Sequence, residues 1–410
     1  MSLNSTPAAD RIHIGFFGRR NVGKSSLVNA ITGQDLAIVS EIKGTTTDPV
    51  YKAMELLPLG PVMIIDTPGI DDEGDLGQLR IRKSIQVLNK TDIAVLIVDC
   101  SLGRTEHDET LIKIFQQKKI NYLIVSNKAD LCPVKPQPAV NEIWVSSKTG
   151  ENIPQLKEMI ARVAVADDSK LRIVADLIEP SDFVVLVVPI DKAAPKGRLI
   201  LPQQQTIRDI LESDATAIVV KEHELRGTLQ TLGKKPKLVI TDSQVFAKVS
   251  ADTPRDILLT SFSILFARYK GNLEQAVRGV RAIERLADGD TVLISEGCTH
   301  HRQCDDIGSV KLPRWITQHT GKQLKFEFTS GTGFADDLSP YKMIVHCGAC
   351  MLNEREMKYR LQCAADQNIP ITNFGILIAY MQGILRRSVE PFPLIALSLE
   401  GDLDHAPGKR

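Results

Sequence analysis

Residues Gly18 to Ser25 read GRRNVGKS, two glycines followed by Lys and Ser at the spacing of a phosphate loop. The flanks agree with that reading. IHIGFF (Ile12 to Phe17) is an apolar run of strand length and strand composition. SLVNAIT (Ser26 to Thr32) reads as a helix. Gly18 and Gly23 let the backbone wrap closely round phosphate oxygens, with Val22 and Ser26 in the same binding loop. Unpaired N–H groups and the positive end of the helix dipole favour the anion. Lys24 is placed to reach the β and γ phosphates, and Ser25 to offer its hydroxyl to Mg²⁺.

Working outward, Gly44-Thr45-Thr46-Thr47-Asp48 is a polar stretch where Thr46 can donate to Mg²⁺ and sense the γ-phosphate. PVMIID ends in Asp66 and is followed by Thr67-Pro68-Gly69. Asp66 can hold Mg²⁺ through water, and the Gly69 N–H can meet the γ-phosphate. NYLIVSNKAD closes on Asn127, Lys128 and Asp130. Asp130 can accept two N–H bonds from the guanine edge, and a base without that donor pair would leave the carboxylate unmatched. EIWVSSKTG ends at Ser146, Ser147 and Lys148, where backbone can meet the guanine O6. Lys24, Thr46, Asp66 and Gly69 are thus the candidate catalytic residues. Strands alternating with helices predict a mainly parallel sheet with the nucleotide at the strands' carboxyl ends.

At 410 residues the chain is expected to hold more than one domain. We expect an α/β protein of three domains: a P-loop nucleotide domain over 1–168, a middle domain over 169–270, and a third over 271–410. Lys plus Arg equals Asp plus Glu at 50 each, which removes any general pull toward nucleic acid or anionic membrane. No apolar run reaches the roughly 18–20 residues of a membrane span. MSLNSTPAAD lacks the basic and apolar parts of a signal peptide, so a cytoplasmic location is expected, with the cysteines as thiols or metal ligands rather than disulfides.

The middle domain repeats the strand and helix pattern (FVVLVVPID, TAIVVK, PKLVITD) without a reactive constellation. Joining subunits is one use for such a domain. In the last third, TVLIS runs into Glu296-Gly297-Cys298-Thr299-His300-His301, and YKMIV runs into His346-Cys347-Gly348-Ala349-Cys350. Cys347 and Cys350 are spaced for one metal centre, and Cys298 offers a third thiolate. Either Zn²⁺ or a 4Fe-4S cluster with one non-cysteine ligand suits this set. Glu296 lies two residues before Cys298, so both point to one face if the strand extends that far. His301 and Cys304 lie beside the motif; Cys100, Cys132 and Cys363 fall outside it and read as core or surface thiols.

Residues 10–165, with their ordered GRRNVGKS, GTTTD, DTPG, NKAD and SSK motifs, resemble small GTPases of the MnmE and Era branch. The resemblance implies GTP hydrolysis with a hydrophobic residue, Ile70, in place of the Ras-like glutamine. It also implies a K⁺ ion bound through Asn21 that acts as an arginine finger; the plainer reading is that Asn21 suits the turn. The C-x-H, long spacer, HC-x-x-C pattern behind a GTPase and a middle domain resembles the HydF family of FeFe-hydrogenase maturation scaffolds. That resemblance implies a 4Fe-4S cluster on Cys298, Cys347 and Cys350, with His300 and His346 matching the family motif and joining Glu296 as fourth-ligand candidates. It implies a diiron precursor carried on the protein, radical-SAM maturases and apo-hydrogenase as partners, and a homodimer formed through the middle domain. The alternative is an RNA-modification or ribosome-associated GTPase with a zinc-binding C-terminal domain; balanced charge counts against it.

Overall fold

The computed structural model describes residues 6–33, 49–69, 84, 86–132, 134–135, 137–165, 172–190, 199–297, 306–331 and 333–401. Thr46, Ile70, Cys298, His300, His301 and Cys304 lie outside the described residues. The chain divides into two compact units, Met1–Ser169 and Lys170–Arg410.

The first unit is built on one six-stranded sheet. Its strands are β1 (Ile12–Phe17), β2 (Val50–Leu56), β3 (Gly60–Asp66), β4 (Ile93–Asp99), β5 (Asn121–Asn127) and β6 (Glu142–Trp144), in the order β2-β3-β1-β4-β5-β6. All neighbours run parallel except β2, which pairs antiparallel with β3 at the edge. Central strands of such a sheet are covered on both faces, so β1 and β4 read as continuous apolar runs. One face packs Phe16, Ile64 and Val95 against α1 (Lys24–Thr32) and α3 (Ile153–Val165). The other packs Phe17, Ile65 and Leu96 against α2 (Glu106–Gln117). β2 was not anticipated, and its largely exposed side chains explain why: it carries no apolar run to read.

The second unit holds two four-stranded, all-parallel sheets. The first contains β7 (Phe183–Val187), β8 (Thr216–Val220), β9 (Leu238–Thr241) and β10 (Leu258–Ser261), ordered β10-β9-β7-β8. Its helices are α4 (Leu201–Leu211), α5 (Leu225–Thr231), α6 (Phe246–Asp252) and α7 (Phe262–Lys270). The second sheet contains β11 (Thr291–Glu296), β12 (Lys325–Ser330), β13 (Tyr341–His346) and β14 (Ile371–Asn373), ordered β12-β11-β13-β14. With it go α8 (Leu273–Gly279), α9 (Leu312–Thr320), α10 (Glu354–Asp366), α11 (Phe374–Met381), α12 (Leu385–Val389) and α13 (Pro393–Gly401). The two sheets share a core. Val185 and Ile240 of one and Ile294 and Val345 of the other belong to a single buried cluster, with Phe262 and Phe266 of α7 and Leu377 of α11. Leu293 and Ile344, on the opposite face of the second sheet, pack on Met357 and Leu361 of α10. Three described helices start on asparagine caps: Asn272 accepts the Gln275 N–H at 3.0 Å, Asn353 that of Glu356 at 3.0 Å, and Asn373 that of Ile376 at 2.8 Å. No described helix is long and apolar enough to cross a membrane.

Candidate functional site

The phosphate loop leaves β1 through residues held in left-handed backbone: Gly18 (φ 144), Asn21 (φ 61) and Gly23 (φ 90). Two of these positions also have no room for a side chain. A Cβ on Gly18 would lie 2.4 Å from the Ile97 carbonyl oxygen, and one on Gly23 would lie 2.4 Å from Asn127 Nδ2. Asn21 adopts the one non-glycine positive φ of the loop, which asparagine tolerates. Lys24 is buried, and its ammonium donates to the carbonyls of Gly18 (2.9 Å) and Arg19 (2.7 Å). Ser25 Oγ donates to Asp66 Oδ2 at 2.8 Å. Burial pushes the Asp66 carboxyl above its usual value, against the opposing pull of Ser25 and Lys24. Among the described residues Asp66 Oδ1 is buried without a hydrogen-bond partner, which leaves an acceptor for a water on a bound cation. Gly69 lies directly on the loop: a Cβ there would meet Arg20 Cγ at 2.4 Å and Arg20 N at 2.9 Å.

The residues expected from the sequence to meet the base gather at the ends of β5 and β6. Asn127 braces two segments, Nδ2 donating to Val22 O (2.9 Å) and Oδ1 accepting from Ser147 N (3.1 Å). Lys128 takes a positive φ of 65° and donates to Asp99 Oδ2 at 2.5 Å. Burial raises the Asp99 carboxyl, but hydrogen bonds from Lys128 and Ser101 bring it below its ordinary value. Asp130 is exposed and accepts from Ser146 Oγ at 2.6 Å, a bond that lowers its carboxyl pKa. Ser146 Oγ also accepts the Thr149 N–H at 3.1 Å, which shapes the turn carrying Ser147 and Lys148.

One expectation is corrected here. Cys100 and Cys132 are joined in a disulfide rather than standing as separate thiols. Cys100 follows directly on β4, and Cys132 follows the short 3₁₀ turn Ala129–Leu131. The adjacency of β4 and β5 brings residues 32 apart in sequence to a Cα separation of 6.6 Å, within bridging range. Sequence spacing alone gave no sign of it.

In the second unit, β11 and β13 lie side by side and end at Glu296 and His346. Alternation along the strands assigns faces. Val292, Ile294, Met343, Val345 and Cys347 pack into the core that contains α7 and α11. Glu296 emerges on this face, buried, beside Gly308 and Phe374. A Cβ on Gly308 would come within 2.3 Å of Glu296 Oε1, so the glycine makes the space that the carboxylate occupies. Cys347 Sγ accepts backbone N–H bonds from Gly297 (3.0 Å) and Ala349 (3.4 Å). Its own N–H donates to Ser295 O at 2.9 Å. Cys350 follows on the same loop, where the buried Lys270 ammonium donates to Cys350 O (3.2 Å) and Leu352 O (3.0 Å).

His346 faces the other way, toward α10. It is fully buried, its Nδ1 is 2.8 Å from Cys347 O, and its Nε2 is 3.0 Å from Arg360 Nη1. Burial first, and then the Arg360 charge, hold its pKa down to about 3. Arg360, Glu356, Lys270 and Ser295 were missed in the sequence. The Glu356–Arg360 pair at helical spacing reads as an ordinary surface ion pair, yet both are buried. Among the described residues, no three of His, Cys, Asp and Glu converge on a metal position; Cys298 lies outside them.

Family comparisons cover both units. Residues 173–271 match the Hydrogen maturase F dimerization domain, and residues 274–391 match the Hydrogen maturase F tetramerization domain. The chain belongs to the hydrogen maturase F family. Residues 13–128 of this family member match the 50S ribosome-binding GTPase model, so its first unit is a GTPase domain. The tRNA modification GTPase MnmE of Thiobacillus denitrificans is 37% identical over 148 residues, 36% of this chain and 32% of that protein. GTPase Der of Wolinella succinogenes is 33% identical over 172 residues, 38% of this chain and 36% of that protein. The chain thus spans about a third of the length of these curated relatives. Era of Aquifex aeolicus bound to GDP·AlF4⁻ aligns with a TM-score of 0.33 and 20% identity, covering 54% of this chain and 98% of that one.

Proposed function

We propose that this maturase F member hydrolyses GTP and serves as a scaffold that carries the diiron precursor of the FeFe-hydrogenase active site. Radical-SAM maturases would load it and apo-hydrogenase would receive the cargo. The two matched domain names point to self-association, and the proposed unit is a homodimer or its pairing into a tetramer. In the GTPase unit, Lys24 neutralises phosphate charge, Ser25 and Asp66 hold Mg²⁺ with Thr46, and the Gly69 N–H addresses the γ-phosphate. Asn21 contributes to a K⁺ site. Asp130 selects guanine, so Asp130→Asn is expected to weaken GTP binding while xanthosine triphosphate binding improves.

The observation that carries the scaffold reading is the setting of Cys347. Its sulfur takes two backbone N–H bonds at the carboxyl edge of the sheet, on the face where the Gly308 cradle holds Glu296. Thiolate donors with N–H bonds to sulfur suit a soft iron–sulfur centre. Cys298, Cys347 and Cys350 would hold a 4Fe-4S cluster, with Glu296 as the exchangeable fourth ligand. When bound, such a cluster supplies an iron with a weakly held position open to a second metal unit. This chain's own contribution is to aim the thiolates, seat the carboxylate and exclude water with the apolar face below.

Anaerobic reconstitution followed by iron analysis and electron paramagnetic resonance tests the proposal. Cys347→Ser and Cys350→Ser are expected to lose the cluster signal and keep GTP hydrolysis. A colourless protein that takes up Zn²⁺ and no iron would end the scaffold reading.

A further inference from the structure

His346 has chemically one-sided partners on both ring nitrogens. The Cys347 carbonyl, 2.8 Å from Nδ1, only accepts; the Arg360 guanidinium, 3.0 Å from Nε2, only donates. An imidazole between such partners is fixed as the neutral tautomer with its proton on Nδ1. Arg360 is itself held in place. Its Nε and Nη2 reach Glu356 Oε1 at 3.1 and 2.9 Å, Nη2 donates to Gly331 O at 2.7 Å, and Phe334 lies against the guanidinium at 5.1 Å. His346, Arg360 and Glu356 are all buried, so water does not compete for these bonds. The Cys347 residue is therefore fixed at three points: its N–H on Ser295, its carbonyl on His346, and its sulfur under Gly297 and Ala349.

We propose that His346 is a positioning residue rather than a metal ligand: its Nδ1–H bond to the Cys347 carbonyl, with the ring fixed by Arg360, sets the direction in which the Cys347 thiolate leaves the sheet. The inference rests on the cluster reading above, and it explains why a histidine precedes the C-x-x-C loop without sharing its face. Neither ring nitrogen keeps a lone pair for a metal while this tautomer stands.

Two metal-independent measurements and one with iron test it. First, ¹⁵N spectra of the full-length, iron-free protein labelled in histidine, with His346 assigned from His346→Asn, should show a protonated Nδ1 and an unprotonated Nε2. The opposite tautomer overturns the proposal. Second, Cys347 alkylation is followed by peptide mass spectrometry in His346→Asn and His346→Gln. The asparagine amide takes the place of Nδ1 and keeps the donor to Cys347, whereas the longer glutamine amide reaches the Nε2 position and does not. Alkylation should match wild type in His346→Asn and differ severalfold in His346→Gln; equal rates in all three overturn the proposal. After iron reconstitution, His346→Asn should keep wild-type iron content and g-values, and His346→Gln should keep the iron with shifted g-values. Iron loss in His346→Asn as deep as in Cys347→Ser would make His346 a ligand. A wild-type protein that binds no iron would defeat the cluster reading, while the tautomer and alkylation results would still decide the role of His346.

Discussion

Gly23 and Gly33 flank α1 and both sit in left-handed backbone, at φ 90 and 66, so alanine at either position carries conformational strain of about 1 kcal/mol. They differ in what the new methyl would meet. Among the described residues nothing lies within 4 Å of a Cβ at Gly33, whereas at Gly23 Asn127 Nδ2 is 2.4 Å away. Gly23→Ala must therefore displace the Asn127 amide and break its bonds to Val22 O and Ser147 N. At about 1 kcal/mol for each bond, Gly23→Ala should be about 2 kcal/mol less stable than Gly33→Ala. The chain has two tryptophans, Trp144 in the first unit and Trp315 in the second, so a Trp315→Phe background makes fluorescence report on the GTPase unit. With a urea slope of about 2 kcal/mol/M, the midpoints should differ by about 1 M at unchanged slope. Because Asn127 ties the phosphate loop to the base-recognition turn, nucleotide affinity should fall at least about tenfold further in Gly23→Ala than in Gly33→Ala. A shared midpoint, or a Gly33→Ala protein worse than Gly23→Ala, would refute Asn127 as the brace of the site.

Tyr341 donates to Glu327 Oε2 at 2.7 Å, and that bond with burial pushes its pKa up to about 12 from 10.0. The folded state thus keeps the phenol proton longer than the unfolded chain does. Its contribution to stability is complete below pH 10 and is lost as pH rises toward about 12, so Tyr341→Phe should flatten the alkaline limb of a stability–pH curve across that window. Arg360→Met strands the buried Glu356 carboxylate and should cost about 3–5 kcal/mol, read from Trp315 emission in a Trp144→Phe background; a Glu356→Leu/Arg360→Met double variant should recover most of the loss. Non-reducing peptide mapping should recover the Cys100- and Cys132-containing peptides as one linked species, and reductant should separate them.

Most motifs of the GTPase domain were legible because they are short runs at strand ends. β4 and β5 carry apolar runs that close on Asp99 and Asn127, and β1 gives way to Gly18, marking the edge where such sheets bind ligands. Elements without such a run were missed. β2 has an exposed face pattern, and β10 has only four residues. β12, KFEFTS, alternates apolar with polar residues and could have been found by that period. The disulfide was hidden for a different reason: only the pairing of β4 with β5 brings Cys100 and Cys132 together.

The carboxyl edge of β11 and β13 shows how one added strand residue changes a chemical assignment. Read as letters, His346-Cys347 is a pair of adjacent metal donors. The apolar run ends at Val345, but β13 continues through His346, which pairs with Ser295 on β11 and Asn373 on β14. Once His346 belongs to the strand, alternation sends its ring to the α10 face, where Arg360 and Glu356 form a buried polar network. The same alternation sends Cys347 to the Val345 face and, two residues beyond Ile294, sends Glu296 there as well. Ligand candidates that look equivalent in the sequence are thus separated by the thickness of the sheet. The carboxylate, the weaker donor by chemistry, is the one that shares a face with the thiolate, and the histidine is left to orient the sulfur through the backbone.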